Sequence, residues 1–279
     1  MAASLRRIWG LMFRHLCLYR RSWPRLLELA YWPILQMCIW GFTARFITSG
    51  GFAGSLAGGA PHVLNHGLVL AGSTLLAGVL LWEVTIRSQM GVAISFLEEI
   101  WSRNLGHIFI SPLRPQELVF GLIGVAMARV MAGLLPAILV AWALYAFNLF
   151  TLGPILILFF ANLMIMGWAF ALGIIALILR HGAGAEALAW SFLLGLTPLA
   201  AVYYPVSVLP AWLQPVALAI PATHVFEGMR TALLHGQTDL GQMAAAVGLN
   251  ALWLAAGGLL FISQFQAARR RGALISIGE

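Results

Sequence analysis

Charged residues are scarce in this sequence. They make up 9% of its 279 residues, whereas hydrophobic residues make up 61%. Soluble proteins carry about 25% charged residues, and a surface that faces water cannot be built from so few. Lysine is absent, so all 16 basic residues are arginine. These shortages exclude an ordinary soluble domain and indicate a chain that lies mostly in a lipid bilayer.

Several motifs that carry enzyme chemistry are also missing. The sequence contains no G-x-x-x-x-G-K-[ST] phosphate loop, no G-x-S-x-G and no H-E-x-x-H,. If the protein uses nucleotide energy, another chain must therefore bind the nucleotide. The only two cysteines, Cys17 and Cys38, offer neither a disulfide framework nor a metal-site spacing,. We expect both to be packing residues, and we expect no catalytic residues, metal or cofactor on this chain.

Six apolar runs are long enough to cross a bilayer, which takes roughly 20 residues in a helix. They cover residues 27–48, 67–86, 118–147, 152–179, 185–203 and 243–265. The sequence therefore predicts an all-α integral membrane protein with six transmembrane helices, forming a single transmembrane domain over residues 1–279.

The arginines are distributed unevenly around these runs. If the N-terminus is cytoplasmic, thirteen fall in cytoplasmic segments, Arg45 and Arg230 fall outside, and Arg129 lies within a span. This distribution follows the positive-inside rule and, with six spans, places both termini in the cytoplasm. The net charge of +7 also lies beside apolar runs, so the expected partner is anionic lipid rather than nucleic acid.

The N-terminal segment, residues 1–26, has the pattern of an amphipathic helix. At 100° per residue, four arginines fall on one face and five apolar side chains fall on the opposite face. The arginines are Arg7, Arg14, Arg21 and Arg25, and the apolar residues are Leu5, Ile8, Trp9, Met12 and Leu16. This pattern predicts a helix that lies in the headgroup region of the membrane.

The segment 87–117 is the largest one expected on the cytoplasmic side. Phe96, Ile100 and Trp101 are predicted to share one side of a short helix, with the acidic residues around Glu98 elsewhere. Such a helix, parallel to the membrane, would present a docking surface to a soluble partner. A solvated, lipid-facing connector is the alternative that the pattern leaves open.

The segment 204–242 is expected outside and is both apolar and rich in proline. Because proline breaks helices and free backbone is costly at membrane depth, the pattern predicts re-entrant half-helices. Glu227 and Arg230 are three residues apart and could pair across one turn. Whether such a pair steadies the helix or contacts substrate stays open. The prolines recur at Pro205, Pro210, Pro215 and Pro221.

Glu83 and Arg129 are the ionisable residues deepest in the predicted spans. Charges at such positions are costly and usually face a cavity or a partner, so both are candidates for a translocation path. The alternatives are that Glu83 is solvated near the end of its span and that Arg129 extends towards the headgroups. Asn162, in the fourth run, is expected to hold helices together by hydrogen bonding.

The order of these features resembles the membrane subunits of type-2 bacterial ATP-binding-cassette exporters. Two stretches carry the resemblance: the Glu-Glu pair leading to SPLRPQELVFG, and the outer segment ending in PATHVFEGMRTALLHG. The resemblance covers nearly the whole chain. It implies a coupling helix that docks on a separate ATPase, formed around Phe96, Glu98, Glu99, Trp101 and Arg103. It also implies an outer gate that includes Pro205, Pro210, Pro221, His224, Glu227 and Arg230.

The resemblance further implies partners and a location. Two copies of an ATPase would bind ATP and magnesium, and the path would lie between two copies of this chain in the bacterial inner membrane. The substrate would be an amphipathic, lipid-linked or polysaccharide-type molecule, or a drug. Two alternatives stay open: a membrane-embedded transferase acting on a lipid-linked substrate, and a non-transporting assembly or receptor subunit.

Overall fold

The structure is a computed structural model that describes residues 2–48, 61–102 and 113–271. Within these ranges the chain forms nine α-helices and no strand, which confirms the predicted all-α class. The helices are α1 (Ala2–Arg21), α2 (Trp23–Thr48), α3 (Pro61–Trp101), α4 (Pro115–Tyr145), α5 (Ile155–His181), α6 (Ala187–Leu196), α7 (Gln214–Leu218), α8 (Pro221–His235) and α9 (Leu240–Arg270).

Four of the described helices are long and apolar enough to cross a membrane. They are Val69–Trp101 within α3, together with α4, α5 and α9. The last three agree with the predicted runs to within a few residues at most ends. Helix α2 covers the first run and, at 26 residues, is about 39 Å long. It is less apolar because polar residues such as Glu28 and Arg45 interrupt it.

The predicted fifth span, 185–203, is much shorter as a helix in the structure. Helix α6 has ten residues, a length of about 15 Å, or half the thickness of a bilayer core. It ends at Leu196, shortly before Pro198, whose ring prevents the helix from continuing. The chain then proceeds in turns towards Tyr204. The count of six spans therefore stays a prediction.

Helices α3 and α5 are the most buried of the four long apolar helices, and α9 is the most exposed. Small residues allow α3 to approach its neighbours closely. A Cβ atom added to Gly91 would lie 2.7 Å from the Cβ of Ala126 in α4, and one added to Gly167 in α5 would lie 2.9 Å from the backbone nitrogen of Gln89. Such close packing is typical of helices in membranes, and it brings α3 against both α4 and α5.

A buried pair of asparagines joins α5 to α9. Asn250 Nδ2 donates to the side-chain oxygen of Asn162 at 2.9 Å and to its carbonyl oxygen at 3.0 Å. Both residues are 2% exposed. The prediction that Asn162 holds helices together is therefore confirmed.

The proline-rich segment 204–242 is broken into short helices, in agreement with its sequence. Pro205 precedes a 3-10 turn, Val206–Val208, and Pro215 lies in the first turn of α7. Pro221 begins α8, a position where its missing N–H costs no helical hydrogen bond.

Candidate functional site: a charged cavity between four helices

A cavity of about 450 Å³ lies between α2, α3, α4 and α6. The two predicted path residues, Glu83 and Arg129, both line it, although they come from different helices. Half of its lining residues form one stripe of α3, which runs for about 27 Å along that helix. The three- and four-residue spacing keeps the stripe on one face. The stripe consists of Glu83, Ile86, Arg87, Met90, Gly91, Ile94, Glu98 and Trp101.

An ion pair stands at one end of this stripe. Arg87 Nε lies 3.2 Å from Glu83 Oε2, one helical turn away, and the two side chains are 10% and 7% exposed. Gly133 of α4 makes room for the guanidinium, because a Cβ there would lie 2.7 Å from Arg87 Nε and 2.7 Å from the carbonyl oxygen of Leu29. The sequence places Arg87 at the start of the segment expected on the cytoplasmic side, and that side stays a prediction. In the structure Arg87 lies within α3 with 10% of its side chain exposed. Its four-residue spacing from Glu83 was the sequence signal for the ion pair.

Arg129 links α4 to α3. Its Nη1 donates to Ser95 Oγ at 3.4 Å, and its side chain is partly buried. Glu28 of α2 and Glu98 of α3 line the same cavity, so charges of both signs from three helices face one space. Sequence reasoning did not identify Glu28, which lies near the start of the first apolar run.

The residues predicted to couple to an ATPase do not form a separate short helix. Phe96, Glu98, Glu99 and Trp101 lie in the last turns of α3, which runs unbroken from Pro61, and Arg103 lies outside the described residues. Phe96 is 0% and Glu99 1% exposed, whereas Trp101 is 52% exposed.

The predicted common face of Phe96, Ile100 and Trp101 is thus divided in the structure. Phe96 and Ile100 are buried. Trp101 follows Phe96 by five residues, which turns it about 140° away around the helix. Of the predicted coupling residues that the structure describes, Trp101 is the most exposed, and Phe96 and Glu99 pack inside the chain.

Helix α1 is fastened to the end of α3 by charged groups. Arg14 Nη1 lies 2.6 Å from Glu99 Oε1. His15 Nε2 lies 3.0 Å from the same Glu99 oxygen, and its Nδ1 lies 3.6 Å from Glu98 Oε2. His15 and Glu99 are almost fully buried, whereas the side chain of Arg14 is 40% exposed.

A second contact fastens α1 to the start of α4. Arg7 binds Glu117 with two nitrogens, at 2.6 and 2.8 Å, which is the strong bidentate geometry. Ser4 Oγ and the backbone nitrogen of Arg114 donate to the same carboxylate. We call Arg7, Arg14 and His15 with Glu98, Glu99 and Glu117 the N-terminal clasp. It holds both helices that flank residues 102–114.

The predicted amphipathic helix is therefore present, and two of the arginines on its predicted basic face point into the chain. Arg7 and Arg14 bind acidic residues of the chain itself. The side chains of Arg21 and Arg25 lie outside the described part. On the predicted apolar face, Leu5 is 67%, Trp9 58% and Leu16 37% exposed, whereas Ile8 and Met12 are partly buried. This arrangement suits a helix whose apolar face enters the bilayer, a position that stays a prediction.

The clasp should loosen as the pH rises. Burial alone lowers the pKa of His15, but the hydrogen bonds and charges of Glu98 and Glu99 outweigh burial and raise it above the ordinary value. The stabilisation from protonated His15 is therefore complete below about pH 6.5 and is lost as the pH rises through the raised value. A spin label on Cys17, which is exposed on α1, should become more mobile over that range in a Cys38→Ser background. The same pH profile in His15→Gln would contradict this account.

An ion pair predicted from the sequence is confirmed in the proline-rich segment 204–242. Arg230 Nη2 lies 3.1 Å from Glu227 Oε1 and donates to the carbonyl oxygen of Ala201 at 2.8 Å. Glu227 Oε1 also accepts from the backbone nitrogen of Val206 at 2.8 Å. The pair therefore fastens the chain on either side of Pro205 to α8.

His224 joins α8 to α7 and to the start of α9. Its Nε2 lies 2.9 Å from the carbonyl oxygen of Leu218, at the end of α7, and its Nδ1 lies 2.7 Å from Gln242 Oε1 in α9. Pro205 and Pro210 are exposed, and Pro221 is buried. All six predicted gate residues thus lie in one group of short helices.

This group packs against the middle of α3 and not beyond its end. The rings of Phe226 in α8 and Trp82 in α3 have centroids 6.1 Å apart. Trp82 Nε1 also donates to Thr197 Oγ1 at 3.1 Å. Trp82 lies about 30 Å from either end of α3, so the broken segment reaches deep along the longest helix.

Comparison with known proteins gives one match. The family model described as ABC-2 type transporter matches residues 6–234, a range that includes the clasp, the cavity and most of the proline-rich segment. No curated protein matches the chain.

Proposed function

Because the chain belongs to the ABC-2 type transporter family, we propose that it is the permease subunit of an ATP-driven exporter. It moves an amphipathic, lipid-linked or polysaccharide-type substrate, or a drug, out across the bacterial inner membrane. A separate ATPase supplies the energy and binds the ATP and magnesium. Membership of a transporter family favours transport over the transferase and receptor alternatives.

The meeting of Glu83 and Arg129 in one cavity carries this proposal. Ionisable residues in apolar helices are costly and usually serve a path or a partner. The same stripe of α3 continues from these charges to Glu98 and Trp101 at the clasp. No proline interrupts α3 after Pro61, so a force applied at its end reaches the cavity without a hinge.

The ATPase docks at the end of α3 and α4 where the clasp lies. Trp101 contacts the ATPase directly, as does Arg103 in the connection beyond it. Phe96, Glu98 and Glu99 act from inside the chain, where they hold the end of α3 against α1. An ATPase that moves α1, or the connection between α3 and α4, therefore moves α3 as well. Motion of this kind, in which whole helices shift as units, is the hinge-and-shear type.

The segment from Pro205 to Arg230 forms the outer gate. Its packing against the middle of α3 supports a re-entrant position, since the segment is too apolar for water and too broken for one spanning helix. His224, Glu227 and Arg230 hold the short helices together, and Pro205, Pro210 and Pro221 separate them. Opening requires these few polar contacts to break or rearrange.

The assembly contains two copies of this chain and two ATPases, with both chain termini in the cytoplasm and lipid around the outside. The cavity supports a partner copy, because exposed apolar residues rim it: Trp32 is 53%, Trp190 50% and Leu194 72% exposed. A second copy placed against this rim would close the path between the two chains.

Replacing Trp101 tests the docking of the ATPase. Exposed tryptophans that anchor an interface typically contribute 2 kcal/mol or more, a factor of about 30 in affinity. Trp101→Ala should therefore sharply reduce the ATPase that copurifies with the tagged chain from its native membranes. The matched control is Trp142→Ala, since Trp142 is 63% exposed in α4 near its opposite end. Equal recovery of ATPase with both variants would refute this docking site.

A further inference from the structure

Two carboxylates in the cavity each have a tryptophan one turn away on the same helix. Glu28 and Trp32 are four residues apart on α2, and Glu98 and Trp101 are three residues apart on α3; all four line the cavity. Residues at these spacings share a helix face. Both indoles remain about half exposed, at 53% and 52%. Two helices thus present the same pair of chemical groups to one space.

Carboxylates and indole faces together recognise positively charged organic groups. A cation over the face of tryptophan is attracted by the negative face of the ring, most strongly where water is excluded. We propose that this part of the cavity binds an amphipathic organic cation, such as a quaternary ammonium or phosphonium compound. The inference rests on the proposed permease function and narrows its substrate class.

The other charges of the cavity agree with a ligand of one positive charge. Among the described lining residues there are three carboxylates, Glu28, Glu83 and Glu98, against two guanidiniums, Arg87 and Arg129. Arg87 is held by Glu83 within one turn. His15, beside Glu98, adds a positive charge only when protonated. When His15 is neutral, the lining therefore carries one more carboxylate than guanidinium groups.

The remaining wall suits an apolar body. Between the charges at Arg87 and Glu98, the stripe of α3 consists of Met90, Gly91 and Ile94. The rise along α3 from Arg87 to Glu98 is about 16 Å. The volume of about 450 Å³ falls within the usual range for small-molecule sites, roughly 300–1,000 Å³. A ligand with a bulky apolar frame and one positive charge therefore matches both the shape and the chemistry.

A pair of probes with the same shape and opposite charge tests the proposal directly. The full chain in lipid nanodiscs, without ATP, is equilibrated with tetraphenylphosphonium or with tetraphenylborate, and binding to empty nanodiscs is subtracted. The phosphonium should bind saturably and about tenfold or more tightly than the borate, as expected for one favourable against one unfavourable charge. Equal binding of the two ions, or no saturable binding of the phosphonium, would overturn the inference.

Variants then locate the site. Glu28→Gln should weaken phosphonium binding about five- to tenfold, and it leaves the clasp intact. Trp32→Leu should weaken binding by a similar factor, whereas Trp32→Phe should retain most of it because an aromatic face remains. The control is Asp239→Asn, which removes a carboxylate far from the cavity and can still cap α9, where Asp239 now accepts from Gln242.

Unchanged binding in both Glu28→Gln and Trp32→Leu would place the cation elsewhere and overturn the inference. Melting temperatures identify any variant that fails to fold, and the two probe ions on the unmodified chain need no variant. A failure of phosphonium binding can be distinguished from a failure of the proposal that the chain is a permease. If the ATPase still copurifies through Trp101 while the phosphonium does not bind, only the substrate class is wrong.

Discussion

Glu83→Ala should destabilise the protein by about 3–5 kcal/mol, the usual cost of removing one partner of a buried ion pair. Arg87 would keep its charge with its side chain 10% exposed, and the tight packing at Gly133 leaves the guanidinium little room to move. For a chain of this size the melting temperature should fall by roughly 5–9 °C. Thermal unfolding followed by tryptophan fluorescence measures this directly.

The double variant Glu83→Leu with Arg87→Met is the matched control. Replacing a buried ion pair by apolar side chains of similar volume is often neutral or stabilising. We therefore expect the double variant to recover most of the lost stability but not transport, because the charges that face the cavity are gone. If the double variant melts as low as Glu83→Ala, the destabilisation does not come from an uncompensated Arg87.

Glu99→Lys should release α1 from the bundle. The carboxylate is 1% exposed beside Arg14 and His15, so the substitution buries a third basic side chain among two others. The protein should lose more than about 3 kcal/mol of stability. The Arg14 contact contributes less to this loss than a fully buried pair would, because Arg14 is 40% exposed and solvent partly screens its charge,. A spin label on Cys17 should become mobile, and less ATPase should copurify.

A charge swap and a surface variant control this experiment. Arg14→Glu combined with Glu99→Lys restores opposite charges and should partly restore both readouts. Arg20→Glu makes a similar charge change on an exposed side of α1 and should have little effect. Loss of ATPase while α1 remains immobile would show that Glu99 contacts the ATPase itself, contrary to the clasp.

Long apolar helices could be predicted from the sequence where an apolar run lies next to a residue that starts a helix. Helix α4 begins at Pro115 and α9 follows Asp239, which caps it. Helix α6 was overestimated, because an apolar run continues through Pro198 although the helix cannot. The sequence predicted a span that ends at residue 86 and a separate short helix in the segment 87–117. In the structure α3 is continuous to Trp101, and Arg87 pairs with Glu83 inside it.

The candidate site was only partly predictable, because some of its contacts are local in the sequence and others join distant residues. Glu83 and Arg129 were identified because each interrupts an apolar run, and the Glu227–Arg230 pair is local. The clasp joins residues that are 85 and 110 positions apart, and no periodicity of the sequence encodes such contacts. Tertiary packing also explains why Phe96 and Glu99 are buried, whereas an isolated amphipathic helix would have presented them to a partner.

The claim that the cavity is the path of an ATP-driven permease is tested most directly by cysteine labelling. In a Cys17→Ser, Cys38→Ser background, Ile94→Cys places a thiol in the cavity wall. Leu259→Cys places a control thiol on the exposed face of α9. Membranes that contain the ATPase are treated with a water-soluble thiol reagent, before and after ATP is trapped with vanadate. A switch between two states of the cavity predicts a change of about tenfold or more in the labelling rate at residue 94, with no change at residue 259. An unchanged rate at residue 94 in the trapped state would contradict the account.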